Sequence, residues 1–181
     1  SIRETSSGLY SEDLKDIPFF ETLEFSGPAT MDFRLNGSSQ LLRFENKIDF
    51  TTASYRYKNI LVKNTDAFNR LQLKGRVTGG KSIAIEQLVY ELGENKVTGK
   101  GSIKSLANPV FTISLGAQNL PVAPMSRFFP VLGDGSNGAI NFDIQGKGDL
   151  RQFDAAIFEG HVESASLTFR PESFSKPINL R

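Results

Sequence analysis

Residues 140–149 read Ile140-Asn141-Phe142-Asp143-Ile144-Gln145-Gly146-Lys147-Gly148-Asp149. Even positions are apolar or glycine, and odd positions are polar or charged. Alternation with period two belongs to a strand with one dry face and one wet face, because successive side chains point to opposite sides. The same pattern recurs upstream. Leu71, Leu73, Gly75, Val77 and Gly79 share one parity, as do Val97, Gly99, Gly101 and Ile103, and then Phe111, Ile113, Leu115 and Ala117. Their partners are polar, as in Lys96, Thr98, Lys100, Ser102 and Lys104.

Hairpin-length breaks separate these runs at Gly79-Gly80, Gly93-Glu94-Asn95 and Gly133 to Gly138. They predict an antiparallel sheet. In three places the parity slips by one: from Ile83 and Ile85 to Leu88, Tyr90 and Leu92, from Ile48 and Phe50 to Tyr55 and Tyr57, and from Val162 to Leu167 and Phe169. Such slips predict β-bulges, which bend a strand, and glycines inside strands add to the bending. Helical signals are sparse. Ser11, Glu12 and Asp13 form an N-cap and acidic first turn ahead of Leu14 and Ile17, closed by Pro18. Pro124 is expected to open a second helical turn carrying Met125, Phe128, Phe129 and Leu132, limited by Pro130. The expected fold is all-β: a strongly curved, largely antiparallel sheet of about nine or ten strands with one or two short helical turns. Residues 1–181 read as a single unit, with a subdivision near 133–138. Val97-Thr-Gly-Lys-Gly-Ser-Ile103 and Ile144-Gln-Gly-Lys-Gly-Asp-Leu150 share a frame, which suggests a repeating β architecture.

Composition narrows the chemistry. The 181 residues can bury a real core, and 21 Lys plus Arg against 20 Asp plus Glu leave a net charge of +1. That balance argues against a nucleic-acid binder and offers no polybasic membrane anchor. There is no cysteine and one histidine, so a disulfide framework, a thiolate zinc site, a Cys nucleophile and a two-His metal site are excluded within the chain. The longest apolar stretches, Leu120 to Met125 and Phe128 to Leu132, are broken by Pro121, Pro124 and Pro130. They fall far short of the ~20 residues of a spanning helix. No signal peptide is visible, and the chain opens at Ser1 without Met and ends at Arg181 after Ile178 and Leu180. A fragment of a longer protein is therefore expected.

Glu159, His161 and Glu163 lie at spacing two and share one strand face. They are read as a solvated polar face in preference to a metal or acid/base site, because no second His or nucleophile elbow accompanies them. Gly99-Lys100-Gly101 and Gly146-Lys147-Gly148 lack the phosphate-loop frame and sit inside strands. Their glycines are read as places where a sheet bends or a facing side chain needs room. No catalytic residue, metal or cofactor is expected. Phenylalanine is abundant, with 15 copies, and Phe25, Phe33, Phe44, Phe50, Phe111, Phe142 and Phe169 fall on dry parity. Both an ordinary core and an apolar groove open to a ligand require that parity.

One resemblance bears on the choice. Asp49, Thr51 and Ala53, then Lys63, then Leu92, Gly93, Gly99 and Gly101 stand in an order that resembles the AsmA-like family, in particular its YhdP/TamB-type bridge-like lipid-transfer branch. Asn119-Leu-Pro121, Phe128-Phe-Pro130, Gly138-Ala-Ile140, Gly146 to Leu150, Gly160-His-Val162 and Pro177-Ile-Asn-Leu180 resemble the family's C-terminal region. The resemblance covers roughly residues 20–181. It implies a Gram-negative cell-envelope protein in the periplasm, anchored in the inner membrane by a segment outside this chain. Its taco-like β-groove would carry phospholipid, or another acyl-chain lipid, between inner and outer membrane. The family has no known catalytic residues, and envelope proteins are the implied protein partners.

The expected groove lining is Leu73, Val77, Ile83, Ile85, Val97, Ile103, Phe111, Ile113, Leu115, Ile140, Phe142, Ile144 and Ile157, with the wet-parity Lys, Asn and Asp facing solvent. The competing expectation is a non-catalytic scaffold for outer-membrane biogenesis that docks partners by strand-edge pairing.

Overall fold

The computed structural model describes residues 2–9, 24–169 and 178–180. The chain is mostly β. In order it forms β1 (Ile2–Leu9), β2 (Glu24–Ser26), β3 (Ala29–Ser38), β4 (Leu41–Asp49), β5 (Ser54–Tyr57), β6 (Leu61–Lys63) and β7 (Asn69–Thr78). There follow β8 (Ser82–Leu92), β9 (Asn95–Ile103), β10 (Val110–Pro121), a helical turn α1 (Val122–Met125) and a 3₁₀ turn at Pro130–Leu132. The chain continues with β11 (Asn137–Asp149), 3₁₀ turns within Leu150–Ala155, β12 (Ile157–Glu163), β13 (Leu167–Phe169) and β14 (Ile178–Leu180).

One 11-stranded antiparallel sheet runs β1-β3-β4-β7-β8-β9-β10-β11-β13-β14, with β12 also paired to β11. It does not close into a barrel. A second sheet, β2-β5-β6, has three strands. The strand count exceeds expectation because β2, β6, β13 and β14 are three residues long, too short to show a period. The β7–β8 hairpin turns on Gly79 and Gly80, at φ +56° and +62°. Left-handed φ at both central positions gives a turn whose twist matches the flanking strands.

The expected slip at Ile85 to Leu88 is a register shift of β8 against both neighbours. The other two slips are chain breaks. β4 ends at Asp49 and Tyr55 lies in the second sheet. β12 ends at Glu163 and Leu167 starts β13. A further shift, where the apolar parity passes from odd to even, lies between Ala117 and Leu120. There Asn119 takes φ +52° and donates its N–H to Asn141 Oδ1 at 2.7 Å. The second helical turn begins at Val122, two residues before Pro124. Pro124 is tolerated inside it because first-turn N–H groups lack intrahelical partners anyway. The helix expected from Ser11 lies outside the described residues.

Most fully buried side chains gather at one end of the large sheet. That end is traced in register by Ala29, Asp49, Asn69, Leu92, Asn95, Leu120 and Ile140. Phe25, Ala29, Ala53 and Tyr55 form its core, with Ile48, Phe50, Tyr57 and Leu61 packed around them. Phe25 and Phe50 meet edge to face at 6.1 Å. The Val62 N–H donates to Phe128 O at 2.7 Å, which ties the small sheet to the segment after α1. Phe128 in turn lies over Gly93. The small sheet and this segment together close the end.

Candidate functional site

Directly opposed residues of antiparallel strands share a face. The register therefore sorts every side chain. Leu42, Phe44 and Ile48 of β4 lie with Leu71, Leu73 and Val77 of β7. These lie with Ile83, Ile85, Leu88 and Tyr90 of β8, and those with Val97 and Ile103 of β9. The face continues through Phe111, Ile113 and Leu115 of β10 to Ile140, Phe142 and Ile144 of β11. It ends with Phe158 and Val162 of β12. Seven strand spacings from β3 to β12 make this apolar face about 34 Å across. Apart from Phe111, 6% exposed, its central side chains are only half-buried. One end is closed by the packing described above. At the other, Phe158 of the apolar face and the turn residue Leu106 stay exposed, as do Leu41 and Val110 on the polar face, in register with Thr78 and Asp149.

Twelve of the thirteen expected lining residues lie on this face. Ile157 does not. It pairs with Lys147, on the polar face, and is 53% exposed. Its neighbour Phe158 takes the apolar position opposite Gly146. The parity of Phe158, Gly160 and Val162 carries that signal in the sequence, and Leu42, Leu88 and Tyr90 join the face beyond the expected lining.

Glycines make this face by accepting their neighbours. Ile113 lies between Gly101 on β9 and Gly146 on β11, so the two Gly-Lys-Gly frames flank a single strand. A Cβ on Gly146 would meet the Phe158 ring at 2.5 Å and Ile113 Cγ2 at 3.0 Å. One on Gly75 would meet the Ala84 carbonyl and Phe44 Cζ at 2.8 Å, and one on Gly99 would meet Leu115 Cδ2 at 2.7 Å. Large side chains thus cover bare backbone across strands, and the reading that these glycines make room holds here.

The residues Asp49, Thr51, Ala53 and Lys63 converge at the closed end. Lys63, 1% exposed, donates to the carbonyls of Phe50 and Thr51 at 2.7 Å and also to that of Ala53. Asp49 Oδ1 accepts the Thr51 N–H at 2.9 Å, and its Oδ2 pairs with Arg70 at 3.0 Å. Burial by itself would raise the Asp49 carboxyl, but the hydrogen bonds from Thr51 and Arg70 outweigh it and hold the group below its ordinary value. Burial pulls the Lys63 amine down, while Asp66 and Asp49 pull it back up. Beside this knot Asn69 Nδ2 donates to Tyr55 Oη at 2.6 Å, and the Tyr55 and Tyr90 hydroxyls share a hydrogen bond of 2.7 Å. Burial raises both phenols. The knot ties down the turn from Phe50 to Ala53 between β4 and β5.

The opposite face is polar. Lys74 faces Glu45 at 3.2 Å, and Ser102 Oγ and Thr112 Oγ1 lie 2.9 Å apart. Three shallow depressions of about 470, 570 and 380 Å³ lie on the polar side of β8 to β12, along Lys100, Thr98, Ser114, Gln145 and Lys147. His161 Nε2 sits 3.0 Å from Glu163 Oε1 on the exposed face of β12, in register with Asp143. Among the described residues no three His, Cys, Asp or Glu side chains group to hold a metal. No helix among them is long and apolar enough to cross a membrane.

No known protein family, curated protein or solved structure matches the chain.

Proposed function

We propose that this chain is a piece of a periplasmic AsmA-like protein of a Gram-negative envelope, and that its apolar sheet face carries phospholipid between inner and outer membrane. One observation supports the reading above the others: the apolar face runs from β3 to β12, interrupted on β4 by Asn46 opposite Leu73, and is half-buried, with a cap at one end among the described residues. An ordinary core is covered; this face has cover where β2, β5, β6 and the segment after α1 lie. Each methylene moved from water onto such a surface contributes about 0.8 kcal/mol, so an acyl chain prefers it to solvent. Many similar positions along a sheet suit a ligand that slides. In this reading the sheet wraps its apolar face inward, bending at its bulges and in-strand glycines.

The test is capture of a pyrene-labelled phospholipid from vesicles. Ile113→Asp or Phe142→Asp is expected to abolish capture, while Lys100→Asp on the polar face leaves it nearly intact. Urea midpoints establish that each variant folds. Equal losses from both faces sink the proposal.

A second reading, a scaffold that docks envelope proteins by strand pairing, is favoured by the edge of β12 that no strand among the described residues pairs with. It expects partner capture that survives Ile113→Asp.

A further inference from the structure

All seven residues of β12 are exposed. β12 pairs with β11 on one side, and among the described residues no strand pairs with its other edge. Ile157, Phe158 and Val162 are 53%, 47% and 59% exposed, a concentration of large apolar side chains on one short strand. Its register with β11 is regular, without a bulge. The strand carries no Lys and no Pro. Lys, Pro and bulges are among the devices that blunt edge strands, and β12 lacks these three; the charges it does carry are the acids Glu159 and Glu163.

The strand is also complementary to itself. Set antiparallel to a second copy about Gly160, Phe158 falls opposite the partner copy's Val162 on the apolar face. Glu159 falls opposite the other copy's His161 on the polar face. Apolar meets apolar and acid meets imidazole, twice over, as a two-fold axis requires. The outermost pair, Ile157 and Glu163, stays at the rim in water. β1, at the far edge of the sheet, places Ile2, Glu4 and Ser6 in register with the apolar-face positions of β3 and offers no such match.

We propose that β12 pairs with β12 of a second copy, joining two sheets into one with their apolar faces on the same side. The pairing stands independently of lipid carriage, because it uses only the edge and its register.

Sedimentation of the 181-residue protein over rising concentration tests it. A doubling of mass is expected. Val162→Lys, at a position open to solvent, is expected to restore the monomer. Glu159→Lys alone and His161→Glu alone each weaken association at least tenfold, and the two together in one chain recover it, because the swapped charges again oppose each other. A protein that stays monomeric at every concentration overturns the proposal. So does a dimer that Val162→Lys leaves unchanged, a double variant no better than the singles, or assembly that continues past the dimer, which would mean β12 pairing with another edge.

Discussion

Truncating Lys63 removes the donor that three main-chain carbonyls share. Lys63→Met keeps the apolar stem and leaves those acceptors buried without a partner. A loss of about 2–4 kcal/mol is expected, because orphaned buried acceptors carry the full desolvation cost. Urea unfolding measures it, and a loss under about 0.5 kcal/mol, the size of an ordinary surface change, contradicts the role assigned to the knot. Asp49 makes the same region acid-sensitive. Its carboxyl titrates below the ordinary value of 3.8 in the folded chain. Below 3.8 the unfolded chain therefore binds the proton first, and the Asp49 contribution fades as pH falls through the folded value. It is fully present above 3.8. Asp49→Asn is expected to flatten this part of the acid transition; an unchanged pH profile removes Asp49 from the account. The residues that form the knot were visible in the sequence only as an ordered set, Asp49, Thr51, Ala53 and Lys63. Nothing in alternation announces a lysine that points inward, because its partners are carbonyls, which every residue has.

Elements differ in how openly the sequence shows them. The long strands β7 to β11 were legible from period two, since each alternates apolar or glycine with polar over much of its length. The slip at Ile85 to Leu88 was legible because strand signal continues on both sides of it. The small sheet was not. β5 and β6 have four and three residues, and the change of parity from Phe50 to Tyr55 looks the same whether a strand bulges or ends. Ile157 was misplaced because Gly160, lacking a side chain, leaves the parity of β12 resting on Phe158 and Val162. The glycine packing also belongs to this scale. Gly75→Ala would press a methyl on the Ala84 carbonyl and the Phe44 ring, and overpacking of this kind costs about 1–3 kcal/mol. Gly116→Ala meets nothing closer than Phe142 O at 3.3 Å and is expected to cost much less. Thermal unfolding of the two variants compares them; equal destabilisation contradicts the packing of large side chains over glycines on the apolar face.

At the scale of the whole molecule, the described residues form an open antiparallel sheet with an apolar face and a polar face, capped at one end. Alternation foretold the two faces. It did not foretell the cap, which depends on contacts between Phe25, Phe50, Tyr55 and Phe128, far apart in sequence and on elements too short to show a period. Dry parity alone left an ordinary core and an open surface equally consistent. The burial pattern supports the open surface, since full burial is concentrated under the cap while the middle of the face remains half-covered. The lipid-carrier proposal rests on that contrast. It is tested most directly by extracting the purified protein with organic solvent and identifying co-purified lipid by mass spectrometry. The account predicts phospholipid in near-stoichiometric amount, lost in Ile113→Asp and kept in Lys100→Asp. Folded protein without bound lipid would contradict it and leave the apolar face as a surface for other strands and sheets.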